Sequence, residues 1–258
     1  MSSLPFESAA ATVLGREHAR VGRNNQDAFH TRASAHGLVA VVTDGCGSGA
    51  ASEVGARLGA WRAVDTALTL LAEGVGPDAP GFLSLLEADL LGFLKGLAGQ
   101  LGPEAVGEAL LFTLVGAVCT PSCVLVFAAG DGLWALNGEV HRLGPFPGNA
   151  PPYLGYGVLR PGLVGLKPLD LRPTEAVDSL LLGTDGAVDL LEEPGGPLSR
   201  FWREDRYFTN PDALRRHLAL LNRETVRADF PGRRLVRETG RLGDDTTLVV
   251  LRRVPREA

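Results

Sequence analysis

The sequence predicts one α+β domain in which two sheet layers carry helices on their outer sides. Three observations point there. Short segments rich in β-branched and aromatic residues open the chain, two long amphipathic segments follow together, and strand-like runs then return through to the C-terminus. With 45% of the 258 residues hydrophobic and 21% charged, there is enough apolar material for a sizeable core, which excludes a disordered chain.

Taken in order, residues 10–15, 27–31 and 38–43 read as strands. Over 48–73 the period changes: Ala51, Val54, Leu58, Trp61, Val64, Leu68 and Leu71 recur at three and four residues, the spacing of one helical face, with Ser48 placed to cap it. A second stripe over 82–97, through Leu83, Leu86, Leu90, Phe93, Leu94 and Leu97, is closed by Gly102-Pro103 and completes a helical hairpin. Residues 111–119 and 123–129 flank Thr120-Pro121-Ser122, and 133–136 and 139–143 flank Asn137-Gly138, a two-residue hairpin signal, so this block predicts an antiparallel meander. From 144 to 173 the chain is rich in Gly and Pro, contains Tyr153 and Tyr156 and keeps no period, which predicts a long surface loop. A strand over 179–183, a helix over 212–223 opened by Asn210-Pro211, and a strand over 246–252 finish the chain. No repeat or linker interrupts it, so a single domain over 1–258 is expected.

Composition narrows the function. No apolar run approaches the roughly 20 residues of a membrane-spanning helix, and MSSLPFESAA has neither the basic flank nor the apolar core of a signal peptide. A soluble, cytoplasmic protein with no membrane partner is expected. The net charge of −5, from 25 basic and 30 acidic residues, argues against a nucleic-acid partner and leaves divalent cations plausible. Cys46, Cys119 and Cys123 cannot complete a disulfide framework, and Cys-x3-Cys alone is a poor zinc site, so buried thiols are expected.

Three apolar strands run straight into Asp-Gly, at Asp44, Asp131 and Asp185. Asp27 in NNQDAF and the pair Asp244-Asp245 before TTLVVL also sit beside strands. Any one Asp-Gly is equally a turn dipeptide, and that reading stays open for each. Turn chemistry alone does not require Asp over Asn at every strand end. If the ends meet, four or five carboxylates converge and need cations to stay ionised; oxygen-only ligands favour Mg²⁺ or Mn²⁺ over zinc. Two such cations a few ångströms apart lower the pKa of a bridging water and aim the resulting hydroxide at a phosphoryl group, so no protein nucleophile is needed. That suits a chain without a convincing Ser/His/Asp or Cys/His arrangement, in which Cys46 lacks the Cys-x5-Arg loop of cysteine phosphatases. Gly45, Gly47 and Gly49 offer a competing reading as a phosphate cradle; Asp44 would oppose it by like charge, and a second helix follows where a dinucleotide fold needs a strand.

The blocks GREHARVGRNNQDAFH, VVTDGCGSGAASEVGARLGA, VFAAGDG, LLLGTDGAVDLL and GDDTTLVVL stand in the order and spacing of the metal-dependent type 2C protein phosphatases. The chain most resembles a bacterial branch with Asn-Gln-Asp-Ala-Phe and Asp-Gly-x-Gly-Ser blocks. The resemblance implies two antiparallel sheets packed as a sandwich and flanked by antiparallel helix pairs, with a binuclear Mn²⁺ or Mg²⁺ centre at one edge. It implies hydrolysis of phosphoserine and phosphothreonine in proteins, opposing a Ser/Thr kinase in signalling. By position, Asp44 would bridge two metals, the Gly45 carbonyl and, through water, Asp27 would serve one, Asp185 and Asp244 the other, and Asp131 a third, weaker ion. Three departures stand out: Gln26 where many members have Glu, Gly22 where many have a phosphate-binding arginine, and Cys46 where some have a histidine acid. Arg20 or Arg23 is expected to replace the arginine, and His18 or water the acid. The same departures support an alternative, a catalytically weak phosphatase-like regulator that binds phosphoproteins or a partner. The 144–173 loop is expected to act as a flap, with Tyr153 and Tyr156 gripping substrate.

Overall fold

Alternation along each strand decides what its two faces bury. The computed structural model describes residues 5–102, 104–192 and 198–254. Along it run β1 (Phe6–Val13), α1 (Arg16–Val21), β2 (Asp27–Ala33), β3 (Leu38–Gly45), α2 (Ser52–Ala72), α3 (Phe82–Leu101), α4 (Ala105–Ala109), β4 (Phe112–Cys119), β5 (Cys123–Ala129), β6 (Gly132–Leu136) and β7 (Glu139–Leu143). There follow α5 (Tyr156–Leu159), β8 (Lys167–Pro173), β9 (Ser179–Gly183), α6 (Arg200–Arg203), α7 (Arg206–Thr209), α8 (Ala213–Leu221), β10 (Thr225–Asp229), β11 (Arg234–Glu238) and β12 (Thr246–Arg253).

Two five-stranded antiparallel sheets form, in the orders β1-β12-β9-β6-β7 and β2-β3-β4-β5-β8. In β3, Leu38, Ala40 and Val42 face the other sheet, where they meet Leu182, Val249 and Leu251. Val39 and Val41 face outward and pack under α2 and α3 against Ala60, Val64 and Leu90. The first sheet behaves likewise: Leu181, Leu248 and Val250 turn outward onto Phe201, Tyr207, Leu214 and Leu218. Covering both faces of both sheets explains why the central strands are continuously apolar in sequence. The expected α+β sandwich is present.

Several elements differ from the sequence reading. Helix α2 buries Ala56, Ala60, Ala63 and Ala67 while Val54 and Trp61 of the bulky stripe are 43% and 44% exposed. Small residues win because the helix lies directly on the sheet: a Cβ on Gly59 would stand 2.3 Å from the Phe112 ring. The helix starts at Ser52, and Ser48 does not cap it. The Ala50 and Ala51 N–H groups are instead accepted by the side chain and backbone carbonyl of Glu108, at 3.2 and 2.9 Å. The expected 144–173 loop ends as β8, whose Pro168 and Pro173 lack a donor and fit an edge strand paired only with β5. The Asn137-Gly138 hairpin forms as expected, with φ of 51° and 92°. Among the described residues, no helix is long and apolar enough to cross a membrane.

The topology gathers strand ends. Register pairs Asp27 with Asp44, Asp44 with Thr113, and Leu114 with Ala129, so β2, β3, β4 and β5 share one end of their sheet. In the other sheet Gly183 pairs with both Leu133 and Leu248, which brings the starts of β6 and β12 to the end of β9.

Replacing Gly59 by Val should force the Phe112 ring aside and lower stability by about 1–3 kcal/mol, measured by urea unfolding, because overpacking at this seam has no free volume to use.

Candidate active site

Five acidic side chains stand at the gathered strand ends. Asp27 begins β2 and Asp44 lies near the end of β3; Asp131 occupies the step from β5 to β6, Asp185 follows β9, and Asp244 precedes β12. Asp131 is held by Gly130 and Gly132, whose φ values of +93° and +129° let the chain cross between sheets in two residues. Gly45 is pressed onto the start of α2, where a Cβ would meet the Ser52 hydroxyl at 2.8 Å, and its N–H donates to the Gln26 carbonyl at 3.1 Å.

The electrostatics show how close the acids are. Burial, and then the charges of Asp27, Asp185, Asp244 and Asp131, raise the Asp44 carboxyl well above the usual carboxylate range. Burial and the charges of Asp245 and Asp185 do the same to Asp27, against hydrogen bonds from Thr184 and Thr247. Burial, Asp131 and Asp244 push Asp185 up to about 6. Asp131 is raised by burial. Two buried oxygens, Asp27 Oδ1 and Asp131 Oδ1, have no hydrogen-bond partner. Crowded carboxylates with unpartnered oxygens are a donor set suited to hard divalent cations.

Threonine hydroxyls at the end of one sheet reach Asp27 of the other. Thr184 Oγ1 donates to Asp27 Oδ2 at 2.7 Å and accepts the Thr247 N–H at 3.1 Å. Thr247 Oγ1 meets Thr12 Oγ1 at 2.7 Å.

Asp245, which the sequence only grouped with Asp244, has a separate task. It is 1% exposed, accepts the N–H groups of Gly15 at 2.7 Å and Gln26 at 2.6 Å, and meets His18 Nδ1 at 2.8 Å. One buried carboxylate therefore ties α1 and the entry to β2 onto the start of β12. The ligand atoms of His18, Asp244 and Asp245 lie within 4.8 Å of one another.

The open part of the site is a cleft of about 530 Å³ lined by Arg16, Asp131, Arg142, Asp185, Asp189 and Asp244, with Gly144 and Pro145 at its rim. The two arginines were not singled out in the sequence, where nothing in their spacing links them to the Asp-Gly steps. The expected ones lie elsewhere: Arg20 is exposed and paired with Glu17 at 3.3 Å, and exposed Arg23 donates to the Gly47 carbonyl. Gly22 closes α1 with φ +70°, which gives its own reason for a glycine there. Tyr153 and Tyr156 do not line the cleft. Tyr153 is buried with Cys46, Val106 and Leu111, and meets Tyr156 edge to face at 5.8 Å. Burial would raise the Cys46 thiol, but hydrogen bonds from Ser48, Tyr153 and the Ser48 and Gly49 backbone bring it below its ordinary value. Cys119 and Cys123 are buried free thiols, as expected, and burial pushes Cys119 up to about 12. Gln26 Nε2 donates to Ser52 Oγ at 2.6 Å, while its Oε1 is buried without a partner.

A family model described as protein phosphatase 2C matches residues 14–155. Among solved structures, the chain is similar to a bacterial serine phosphatase at 16% identity and a TM-score of 0.55, covering 98% of this chain and 100% of that one. It is similar to the catalytic domain of serine threonine protein phosphatase PstP in complex with 2 manganese ions, at 19% identity and a TM-score of 0.53, covering 98% and 100%. It is also similar to RsbX in complex with magnesium, at 13% identity and a TM-score of 0.50, covering 98% of each chain. A search of curated proteins gives no match. At these identities the structural likeness establishes the fold.

Asp185 binds its proton more tightly folded, at about 6, than unfolded, at about 3.9. In EDTA the chain should therefore lose stability as pH rises from about 4 through about 6, by about 2–3 kcal/mol from this group alone. Urea unfolding across that range should show a shallower pH slope in Asp185→Asn, and Mn²⁺ should raise Tm at pH 7.

Proposed function

Because the chain belongs to the protein phosphatase 2C family, we propose that it is a metal-dependent phosphatase of phosphoserine and phosphothreonine in proteins. The observation that carries this reading is the convergence on Asp44 of the charges of Asp27, Asp185, Asp244 and Asp131, with buried oxygens left unpartnered. Asp44, the Gly45 carbonyl and Asp27 would hold one divalent ion, Asp44, Asp185 and Asp244 a second, and Asp131 a third, weaker one. When bound, Mn²⁺ or Mg²⁺ supplies neutralisation of the phosphoryl charge and activation of water for attack on phosphorus.

The chain's own residues do the rest. Asp245 fixes the positions of Gln26 and therefore Asp27. Arg142, and Arg16 beside its bonds to Glu17 at 3.1 Å and the Gly240 carbonyl at 2.6 Å, would take phosphoryl oxygens in place of Arg20 or Arg23. His18 has Nδ1 occupied by Asp245, which leaves Nε2 to give a proton to the departing serine or threonine oxygen. A phosphoprotein, opposed by a Ser/Thr kinase, is the substrate class this chemistry suits.

Gln26 favours a second reading, a weakly catalytic regulator that binds phosphoproteins, because its neutral amide adds no charge beside the metal ligands. Turnover of p-nitrophenyl phosphate with and without Mn²⁺ separates the two: a metal-dependent rate supports the enzyme, and phosphopeptide binding without turnover supports the regulator.

Activity should vanish in EDTA and return with Mn²⁺ or Mg²⁺. Asp44→Ala and Asp185→Ala should each lower kcat by about 10²–10³-fold or more with the circular dichroism spectrum unchanged, whereas Asp131→Ala should cost only about tenfold. Arg142→Ala should raise KM for p-nitrophenyl phosphate more than it lowers kcat, in steady-state assays.

A further inference from the structure

Between α8 and Asp244 the chain forms a ribbon of β10 and β11 that hydrogen-bonds to neither five-stranded sheet. Directly opposed residues share a face, so Val226, Ala228, Leu235 and Arg237 lie on one side, and Thr225, Arg227, Asp229, Arg234, Val236 and Glu238 on the other. The second face neutralises itself, through Arg227 with Glu238 at 3.2 Å and Arg234 with Asp229 at 2.9 Å. The first is mostly apolar and open: Val226 is 51% exposed and Leu235 73%, Arg237 is paired with Glu224 at 3.2 Å, and Phe230 at the turn adds an 85% exposed ring. A lone two-stranded ribbon is marginal in water, and large apolar side chains grouped on it mark a surface that a partner covers.

Charge identifies the partner. Residues 222–241 contain Arg223, Arg227, Arg233, Arg234, Arg237 and Arg241 against Glu224, Asp229 and Glu238, a net of +3 in a chain of net −5, so the remainder carries −8. An acidic polypeptide is repelled by most of the molecule and attracted here. The ribbon also roots beside the cleft. Asn222 Nδ2 donates to the Leu14 carbonyl at 2.7 Å, and the guanidinium of Arg16, itself a cleft residue, donates to the Gly240 carbonyl at 2.6 Å.

We propose that the β10–β11 ribbon is a docking arm for acidic segments of phosphoprotein substrates, which it holds by its apolar face and arginines beside the catalytic cleft. The proposal rests on the phosphatase reading for its consequence, not for the docking itself.

The test uses the full chain with Mn²⁺ and two phosphothreonine peptides of about 20 residues, long enough to span cleft and ribbon at about 3.3 Å per residue. One has Glu and Leu flanks, the other Lys and Leu. The wild type should prefer the acidic peptide about tenfold in kcat/KM, mainly through KM. Phe230→Ser with Leu235→Ser, and Arg223→Glu with Arg233→Glu, should each remove most of that preference and leave p-nitrophenyl phosphate turnover unchanged. Equal kcat/KM for the two peptides, or variants that behave as wild type, would overturn the arm. So would loss of phosphatidylserine-vesicle binding or of a dimer in these variants with peptide kinetics intact, which would assign the ribbon to a lipid surface or a second copy. Anisotropy with the unphosphorylated acidic peptide reads docking separately: ribbon-dependent binding without turnover of any substrate supports the arm and sinks the phosphatase reading.

Discussion

Gathering five carboxylates at one end of an apolar sandwich creates a concentration of negative charge that the surrounding hydrogen bonds relieve only in part. Asp44 is influenced by four other acids, and Asp185 holds its proton up to about 6. Backbone hydrogen bonds at Asp185 and Asp131 and the Thr184 hydroxyl on Asp27 act against it without reversing the upward shifts. Bound divalent cations, as proposed above, would supply positive charge, and the cleft also carries Arg16 and Arg142. Crowding of this kind is unfavourable without a neutralising cation.

Holding such a cluster requires the two sheets to keep fixed register, since Asp27 and Asp44 belong to one and Asp185 and Asp244 to the other. The chain joins them twice at the site. The Thr184 and Thr247 hydroxyls of one sheet bond Asp27 of the other, and Thr12 braces Thr247 within the first sheet. Asp245 then fastens the Gly15 and Gln26 backbone to β12. Adjacent residues thus divide the work: Asp244 faces the cleft, while Asp245 is consumed by two N–H groups and His18. Leaving those buried donors unpaired would cost about 1–3 kcal/mol each.

Beside the cleft, the segment from Gly144 onward is more structured than its Gly and Pro content suggests. It starts at the cleft rim, packs Leu154 and Tyr156 against the α2–α3 layer, and ends as the edge strand β8. An adjoining pocket of about 470 Å³ is lined by Arg142, Phe146, Leu163, Val164 and Lys167. The two tyrosines of this region pack instead, with Tyr153 closing over Cys46.

Local information determined much of this protein. Runs of β-branched residues placed the central strands, the Leu86, Leu90 and Leu94 stripe placed α3, Asn137-Gly138 placed a hairpin, and Asp at each strand end marked the site before any strand was paired. What the sequence could not decide depends on contacts between distant residues. Ala rather than Val54 and Trp61 faces the sheet because of how closely α2 approaches Phe112. Arg16 and Arg142 join the cleft from positions 126 apart, and Arg20 turns away to Glu17 one turn along α1. The separation of Asp244 from Asp245 likewise exists only once β12 lies against α1. Residue type and period are written in the chain, but which neighbour each side chain meets is set by register and close packing, which only the folded sheets supply.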